Sequence, residues 1–224
     1  MEDMLPISRV TRSKEAAKST YDRLSRWYDA LAGSSERKFT GIGLQKLAVK
    51  DGETVLEIGF GTGHAILALA AAVGNAGKVY GIDISEGMGN ITRARVNQVG
   101  LSGRVALSFG DAAELPFTAG SLDAIFMGFT LELFDTPEIP AVLSECLRPL
   151  RQSGRMCVVA LSKRREAGWM VRLYEWAHRK FPAYIDCRPI FVQKALEDAG
   201  FTISEVTDMS MWGLPVEIVA AIKR

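Results

Sequence analysis

Residues 55–70 read VLEIGFGTGHAILALA: an apolar run ending at Ile58, the spaced glycines Gly59, Gly61 and Gly63, then an alanine- and leucine-rich stretch. An apolar strand, a tight glycine turn and a helix in immediate succession form the first half of a βαβ unit. Glycines at such a turn let the chain reverse sharply and let a ligand approach bare backbone, while the helix start offers unpaired N–H groups. Further signals stand in register with the loop. Gly81-Ile82-Asp83 places a carboxylate 22 residues beyond Gly61, at the end of a second strand, where it can accept hydrogen bonds from both hydroxyls of a ribose. Gly110-Asp111-Ala112 closes a third strand and presents a carboxylate to an exocyclic amine such as that of adenine. Glu57 places another acid inside the motif itself.

Outward from this unit the alternation continues. Strands are expected at 54–58, 78–82, 105–109, 124–129 and 155–161, with helices at 63–73, 86–99 and 137–150, the second weakened by Gly87 and Gly89. This order predicts an α/β fold with a mostly parallel sheet covered on both faces. A helix near 189–200 and two strand-like runs, 201–209 and 215–222 around Trp212-Gly213, predict an antiparallel C-terminal hairpin. Before the glycine unit, Ala17, Tyr21, Leu24, Tyr28 and Leu31 recur at helical spacing and a second helix is expected over 36–49. The expected organisation is a helical cap over 1–50 and a Rossmann-like domain over 51–224, interrupted by an inserted lid at 162–188.

Two nucleoside cofactors compete for this arrangement. A dinucleotide fingerprint, G-x-G-x-x-G, needs its third glycine at position 64, which is His64; the glycine falls one residue earlier, at Gly63. Glu57 suits an ammonium or a sulfonium better than a pyrophosphate. S-adenosylmethionine, with one ribose, one adenine, an ammonium, a sulfonium and no phosphate, matches these positions.

In these motifs the chain resembles the class I S-adenosylmethionine-dependent methyltransferases, and among them the ubiquinone/menaquinone biosynthesis C-methyltransferases. The matching stretches, in order, are YDRLSRWYD, VLEIGFGTGH, GIDIS, GDAAELPF, SLDAIFMGFTLELF, VLSECLRPLRQSGRMCVV and LEDAGF. The segment after the fourth strand departs from the quinone pattern, with FTLELFD in place of an FGLRN-like run. The resemblance implies a seven-stranded Rossmann-like fold. It assigns Glu57, Gly59, Gly61, Thr62 and Gly63 to the methionine side of the cofactor, Asp83 and Ile84 to the ribose, Asp111 and Ala112 to adenine, and Gly128 to the position beside the sulfonium.

Methyl transfer requires the acceptor to line up with the C–S bond, and a base only if the acceptor must lose a proton. Three candidates for that role are Tyr21, His64 and Glu132. Tyr21-Asp22 and Tyr28-Asp29 put two tyrosines on one face of the first helix; if that helix closes over the cofactor, Tyr21 also touches it. His64 begins a helix, where the dipole favours the neutral imidazole, and Glu132 follows the fourth strand at the edge where parallel sheets bind ligands.

Composition sets the outer bounds. With 224 residues, 27 Lys and Arg against 26 Asp and Glu and a net charge of +1, the chain fits one domain and carries no global excess of positive charge for nucleic acid. Cys146, Cys157 and Cys187 form no C-x-x-C pair, and His64 and His178 build no metal cluster, so neither a disulfide framework nor a metal is expected. The charged N-terminus lacks an apolar leader, which fits the cytoplasm. The inserted segment is locally basic and aromatic: Ser162 to Phe181 holds six basic residues against Glu166 and Glu175, together with Trp169, Met170, Tyr174 and Trp176. It reads as a lid or as a peripheral membrane surface; His178, Asp186 and Cys187 follow as loop residues. The expected acceptor is a small apolar or lipid-like molecule, foremost a polyprenylated quinol ring. The alternatives are a phospholipid or small-amine N-methyltransferase and a non-catalytic S-adenosylmethionine-binding protein.

Overall fold

The strand β1 (Thr54–Ile58) lies at the middle of the molecule, and Val55, Leu56 and Ile58 are each at most 2% exposed. A strand covered on both faces needs apolar residues at successive positions, not alternate ones; Glu57 is the acid in that run. The computed structural model describes residues 7, 9–10, 13–28, 34–163, 174, 176 and 187–224. Among them β1, β2 (Lys78–Asp83), β3 (Val105–Phe109), β4 (Leu122–Gly128), β5 (Leu150–Leu161), β6 (Phe201–Met211) and β7 (Leu214–Lys223) form one sheet in the order β3-β2-β1-β4-β5-β7-β6. The first five are parallel, and β7 runs antiparallel between β5 and β6. The chain moves outward from β1 to β3 and then returns to β4 on the other side of β1, so neighbouring connections diverge between β1 and β4. Such a switch point opens a crevice at the carboxyl ends of the strands. Ile58 pairs with Met127, so Gly59 and Gly128 follow side by side at the carboxyl ends of β1 and β4.

Helices cover both faces. The helix α1 spans Lys14–Tyr28, α2 Ser34–Leu47, α3 His64–Ala72, α4 Glu86–Gln98, α5 Ile139–Leu147 and α6 Val192–Asp198. Buried residues of α2 (Phe39, Leu47), α3 (Ile66, Leu69) and α4 (Val96) form one apolar cluster with Val216 and Ile218 of β7. On the opposite face α5 and α6 contribute Val142, Leu143, Val192 and Leu196 to a second. The hairpin between β6 and β7 turns at Trp212 and Gly213, both left-handed with φ 53° and 84°, the geometry that matches the twist of paired antiparallel strands.

The glycines of α4 have a packing role. A Cβ on Gly87 would lie 3.0 Å from the Cα of Asp22, and one on Gly89 would lie 2.4 Å from the ring of Phe109. They cost helix propensity, and in return α1 and β3 approach α4 closely. Asp22 fixes that approach: its Oδ1 accepts from Ser85 Oγ at 2.6 Å and from Gly87 N at 2.8 Å, at the start of α4. β5 begins at Leu150, five residues before the expected start, because Leu122 of β4 pairs with Leu150 across a register shift; the exposed polar run 151–153 conceals this in the sequence.

Most of the inserted segment, including Trp169, Met170, His178 and Asp186, lies outside the described residues, as does Asp29. Its two roots meet: Ser162 and Ile190 form a parallel bridge, Lys163 N donates to Ile190 O at 2.9 Å and Ile190 N donates to Leu161 O at 3.0 Å. The roots therefore lie at the carboxyl end of β5, the same sheet edge as the crevice. Among the described residues no helix is long and apolar enough to cross a membrane.

Candidate active site

The glycine turn divides two cavities. The larger, about 630 Å³, lies between α1 and the carboxyl ends of β1 to β4. Its walls include Tyr21, Gly59, Gly61, Asp83, Ile84, Asp111, Ala112 and Gly128, eight of the positions expected from the sequence. The smaller, about 290 Å³, is lined by Glu57, Thr62, Gly63 and His64 together with Glu36, Arg37 and Thr40 of α2. Gly59, Gly61 and Gly128 line both. At two of the three loop glycines the backbone explains the residue. Gly59 has φ 72°, and a Cβ there would lie 2.3 Å from Thr130 Oγ1; Gly63 has φ 85°, and a Cβ would lie 2.5 Å from Thr92 Cγ2. Nothing lies within 4 Å of the corresponding position at Gly61, so bare backbone faces open space there.

Asp83 organises the loop from below. Its Oδ2 accepts from Gly61 N and its Oδ1 from Ser85 N, both at 2.9 Å. Burial raises its pKa, with the repulsion of Asp22 in support, and outweighs these backbone N–H donors. Glu57 is 4% exposed, and its Oε2 has no hydrogen-bond partner. Burial, and next the nearby Asp83 charge, push its pKa well above the usual carboxylate range. An orphaned buried carboxyl oxygen calls for a donor, and an ammonium supplies one where a phosphate would not. The residues present thus fit S-adenosylmethionine.

Asp111 is half-buried at the end of β3. Its Oδ1 accepts from Ala113 N at 3.0 Å, and its Oδ2 is paired with Lys14 of α1, whose Nζ also lies 2.9 Å from Glu138 Oε1. Burial would raise the Asp111 pKa, but the Lys14 ammonium and Ala113 N–H hold it below the usual value.

The three base candidates separate in space. Tyr21 lines the large cavity. His64 lies across the loop in the small one, where Arg37 Nη2 approaches its Nε2 to 2.9 Å and Arg95 Nη1 to 3.1 Å. A guanidinium only donates, so Nε2 is the acceptor in these two contacts. Glu132, in the 3-10 turn Leu131–Leu133, points inward and not to the crevice: it is fully buried, accepts from Leu161 N at 3.2 Å and does not line the large cavity. Among the described residues no group of His, Cys, Asp or Glu converges as a metal site.

A family model described as a methyltransferase domain matches residues 55–154. The demethylmenaquinone methyltransferase of Oceanobacillus iheyensis is 31% identical over 166 residues, which cover 74% of this chain and 67% of that protein. The chain belongs to the class I S-adenosylmethionine-dependent methyltransferases. The demethylmenaquinone methyltransferase of Symbiobacterium thermophilum is 32% identical over 158 residues, 67% of this chain and 61% of its own length. The nocamycin O-methyltransferase of Saccharothrix syringae is 36% identical over 136 residues, 61% of this chain and 48% of its own. The chain thus spans less than two thirds of these two relatives. In fold it is similar to the [4+2]-cyclase SpnF (TM-score 0.75, 19% identity, 95% of this chain and 97% of that one). It is also similar to a SAM-dependent methyltransferase from Aquifex aeolicus (TM-score 0.63, 23% identity, 96% and 100%).

For this methyltransferase the sequence reading passed over a basic pair before and within α1. Besides Lys14, Arg9 forms a forked pair with Asp135, its Nε 2.9 Å from both carboxylate oxygens and its Nη2 2.6 Å from Oδ2. That contact leads the causes that hold the Asp135 pKa down at about 2. Behind the same loop, Arg188 is fully buried, donating to Phe134 O and to Thr136 Oγ1. These residues are charged and lie in segments of no periodicity; their one sequence signal was that acids cluster after β4, at Asp135 and Glu138, opposite bases with no local partner.

Proposed function

We propose that this methyltransferase moves the methyl group of S-adenosylmethionine to a small, largely apolar acceptor, with a polyprenylated quinol ring carbon as the leading case. The observation that carries the reading is the division of the large cavity. Carboxylates stand at the ends of β2 and β3, while Phe129, Leu133, Phe134 and Pro137, which follow β4, give the cavity an apolar lining. The relatives named demethylmenaquinone methyltransferase support a quinol. The one named nocamycin O-methyltransferase makes an oxygen acceptor the second reading.

Bound S-adenosylmethionine supplies an electrophilic methyl on a sulfonium whose leaving group departs neutral. The chain's own residues bind and orient. Asp83 presents its carboxylate to a ribose while its backbone partners hold it still, Asp111 and Ala112 face the base, and Glu57 provides the negative end for an ammonium. Gly59, Gly61 and Gly128 leave room for the reacting centre to lie against backbone. The apolar wall excludes water and holds an acceptor in line, the main contribution a protein makes to such a displacement. Asp135, kept ionised by Arg9, is too weak a base for a phenol at neutral pH and serves to fix that wall; Tyr21 is the proton-handling side chain proposed to face the acceptor.

Transfer of labelled methyl to a demethylmenaquinol, to a simple phenol and to phosphatidylethanolamine, with the product analysed for C-, O- or N-methylation, tests the proposal. C-methylated quinol is expected. O-methylation alone selects the second reading, and silence on all acceptors alongside intact S-adenosylmethionine binding overturns the enzymatic reading.

A further inference from the structure

Arg188, at the exit of the inserted segment, is the largest fully buried side chain among the described residues. Its Nη2 donates to Phe134 O and its Nη1 to Thr136 Oγ1 at 3.2 Å, while its Nε has no hydrogen-bond partner. Burial lowers its pKa against the pull of Asp135 and Glu132, and Asp135 is already engaged by Arg9. A guanidinium taken out of water on these terms is costly, and an apolar side chain of the same length would fill the space at lower cost. Stability alone does not account for the residue. Both of its acceptors belong to the loop that follows β4, where Leu133, Phe134, Asp135 and Pro137 line the large cavity. The tie runs both ways. Glu132, at the start of that loop, accepts from Leu161 N at the end of β5, and Leu161 O accepts from Ile190 N, two residues after Arg188. A buried charged side chain therefore crosses in each direction between the loop and the roots of the inserted segment. On the cavity side the loop is held by Arg9, whose side chain is 65% exposed, and an exposed pair fixes a loop less firmly than a buried one.

Resting on the acceptor reading above, we propose that Arg188 is a positioning residue for the methyl acceptor: it fixes the backbone at Phe134 and Thr136 and so sets where the apolar lining stands relative to the transferred methyl. The guanidinium itself does not line the cavity and acts through the loop. Its planar fork spans a carbonyl and a hydroxyl two residues apart, a geometry that the single nitrogen of a lysine does not reproduce. By this arrangement a disturbance at the roots of the inserted segment is felt at the acceptor and not at the nucleoside, whose carboxylates Asp83 and Asp111 end β2 and β3 on the other side of β1.

Steady-state transfer of labelled methyl to demethylmenaquinol or a simple phenol, whichever the wild type methylates, tests this together with calorimetric titration of the full chain with S-adenosylhomocysteine. Arg188→Met lowers kcat/KM for the acceptor by about 10- to 100-fold, mainly through KM, and leaves the affinity for S-adenosylhomocysteine within twofold. Arg188→Lys recovers part of the loss. Thr136→Val, which removes one of the two acceptors and leaves Arg188 in place, raises the acceptor KM by less, and the double variant falls short of the product of the single effects because both break one contact. An unchanged acceptor KM in Arg188→Met overturns the proposal. So does an equal weakening of acceptor and S-adenosylhomocysteine, which marks a general loosening of the molecule. If the wild type methylates no quinol or phenol, the acceptor reading falls and takes this one with it. Thermal midpoints separate a displaced loop from loss of fold, and Thr136→Val carries the test if Arg188→Met does not fold.

Discussion

Glu57 is a side chain whose burial works against stability. Its raised pKa, caused by burial and by Asp83, means that the folded state holds a proton which the unfolded state releases at lower pH. For an acid shifted upward, stability is highest below the ordinary value near 4.5 and falls as pH rises toward the folded pKa, by up to about 1.4 kcal/mol per pH unit for one group. Glu57→Gln should flatten that limb, so denaturant midpoints measured as pH rises from the ordinary value near 4.5 should come to favour the variant over the wild type, while its affinity for S-adenosylmethionine falls. A variant that loses stability in parallel with the wild type would show that Glu57 is not the group responsible. Asp83→Ala removes the carboxylate proposed for a ribose together with the acceptor for Gly61 N and Ser85 N. Titration should find S-adenosylmethionine binding weakened by about 100-fold or more, at roughly 10-fold per lost charge-assisted bond plus loosening of the loop. Both acids were legible in the sequence because Glu57 lies inside the glycine motif and Asp83 ends the second strand at a fixed distance from it. For Glu132 the sequence gives a place after β4 but not the direction of the turn, and in the 3-10 turn Leu131–Leu133 it is buried and accepts from Leu161 N of β5.

Among the elements, α4 joins the sheet to the cap. Ser85 caps its N-terminus by accepting from Met88 N at 3.1 Å, and Asp22 reaches in from α1 to hold Ser85 Oγ and Gly87 N. The cap of one helix is thus the anchor of another. Asp22→Ala should cost about 1 kcal/mol, as loss of a capping acceptor does, and lower the thermal midpoint by about 2–4 °C. Hydrogen exchange should quicken across α1 more than across β1 or β4; a uniform change would place the anchor elsewhere. Periodicity located α1, α3, α4 and α5 to within a few residues, since an apolar stripe is a local property of the chain. It did not show that Gly87 and Gly89, which weaken the helix locally, are what let Asp22 and Phe109 approach it.

At the scale of the whole molecule, oppositely charged groups distant in sequence hold the segment before α1, and α1 itself, over the sheet edge. Arg9 pairs with Asp135, and Lys14 with Asp111 and Glu138. Asp135 is shifted downward, to about 2, so its contribution is complete above the ordinary value near 3.8 and is lost as pH falls from there toward 2. Acid titration followed by protease sensitivity before α1 should show release in that window, and Asp135→Asn should be released at all pH values; insensitivity of both proteins would dismiss the latch. The sequence by itself determined the order of strands and helices, the α/β class and the places of Glu57, Asp83 and Asp111 beside the glycine turn and at the strand ends, because strand ends, glycine turns and apolar periods are written within a few residues of one another. Tertiary structure alone decided that Arg37, His64 and Arg95 meet, that Asp135 receives Arg9, and that Oε2 of Glu57 is left without a hydrogen-bond partner. Each of these depends on which elements the sheet order brings together and on how far each side chain is removed from water, and neither is a local property of the chain.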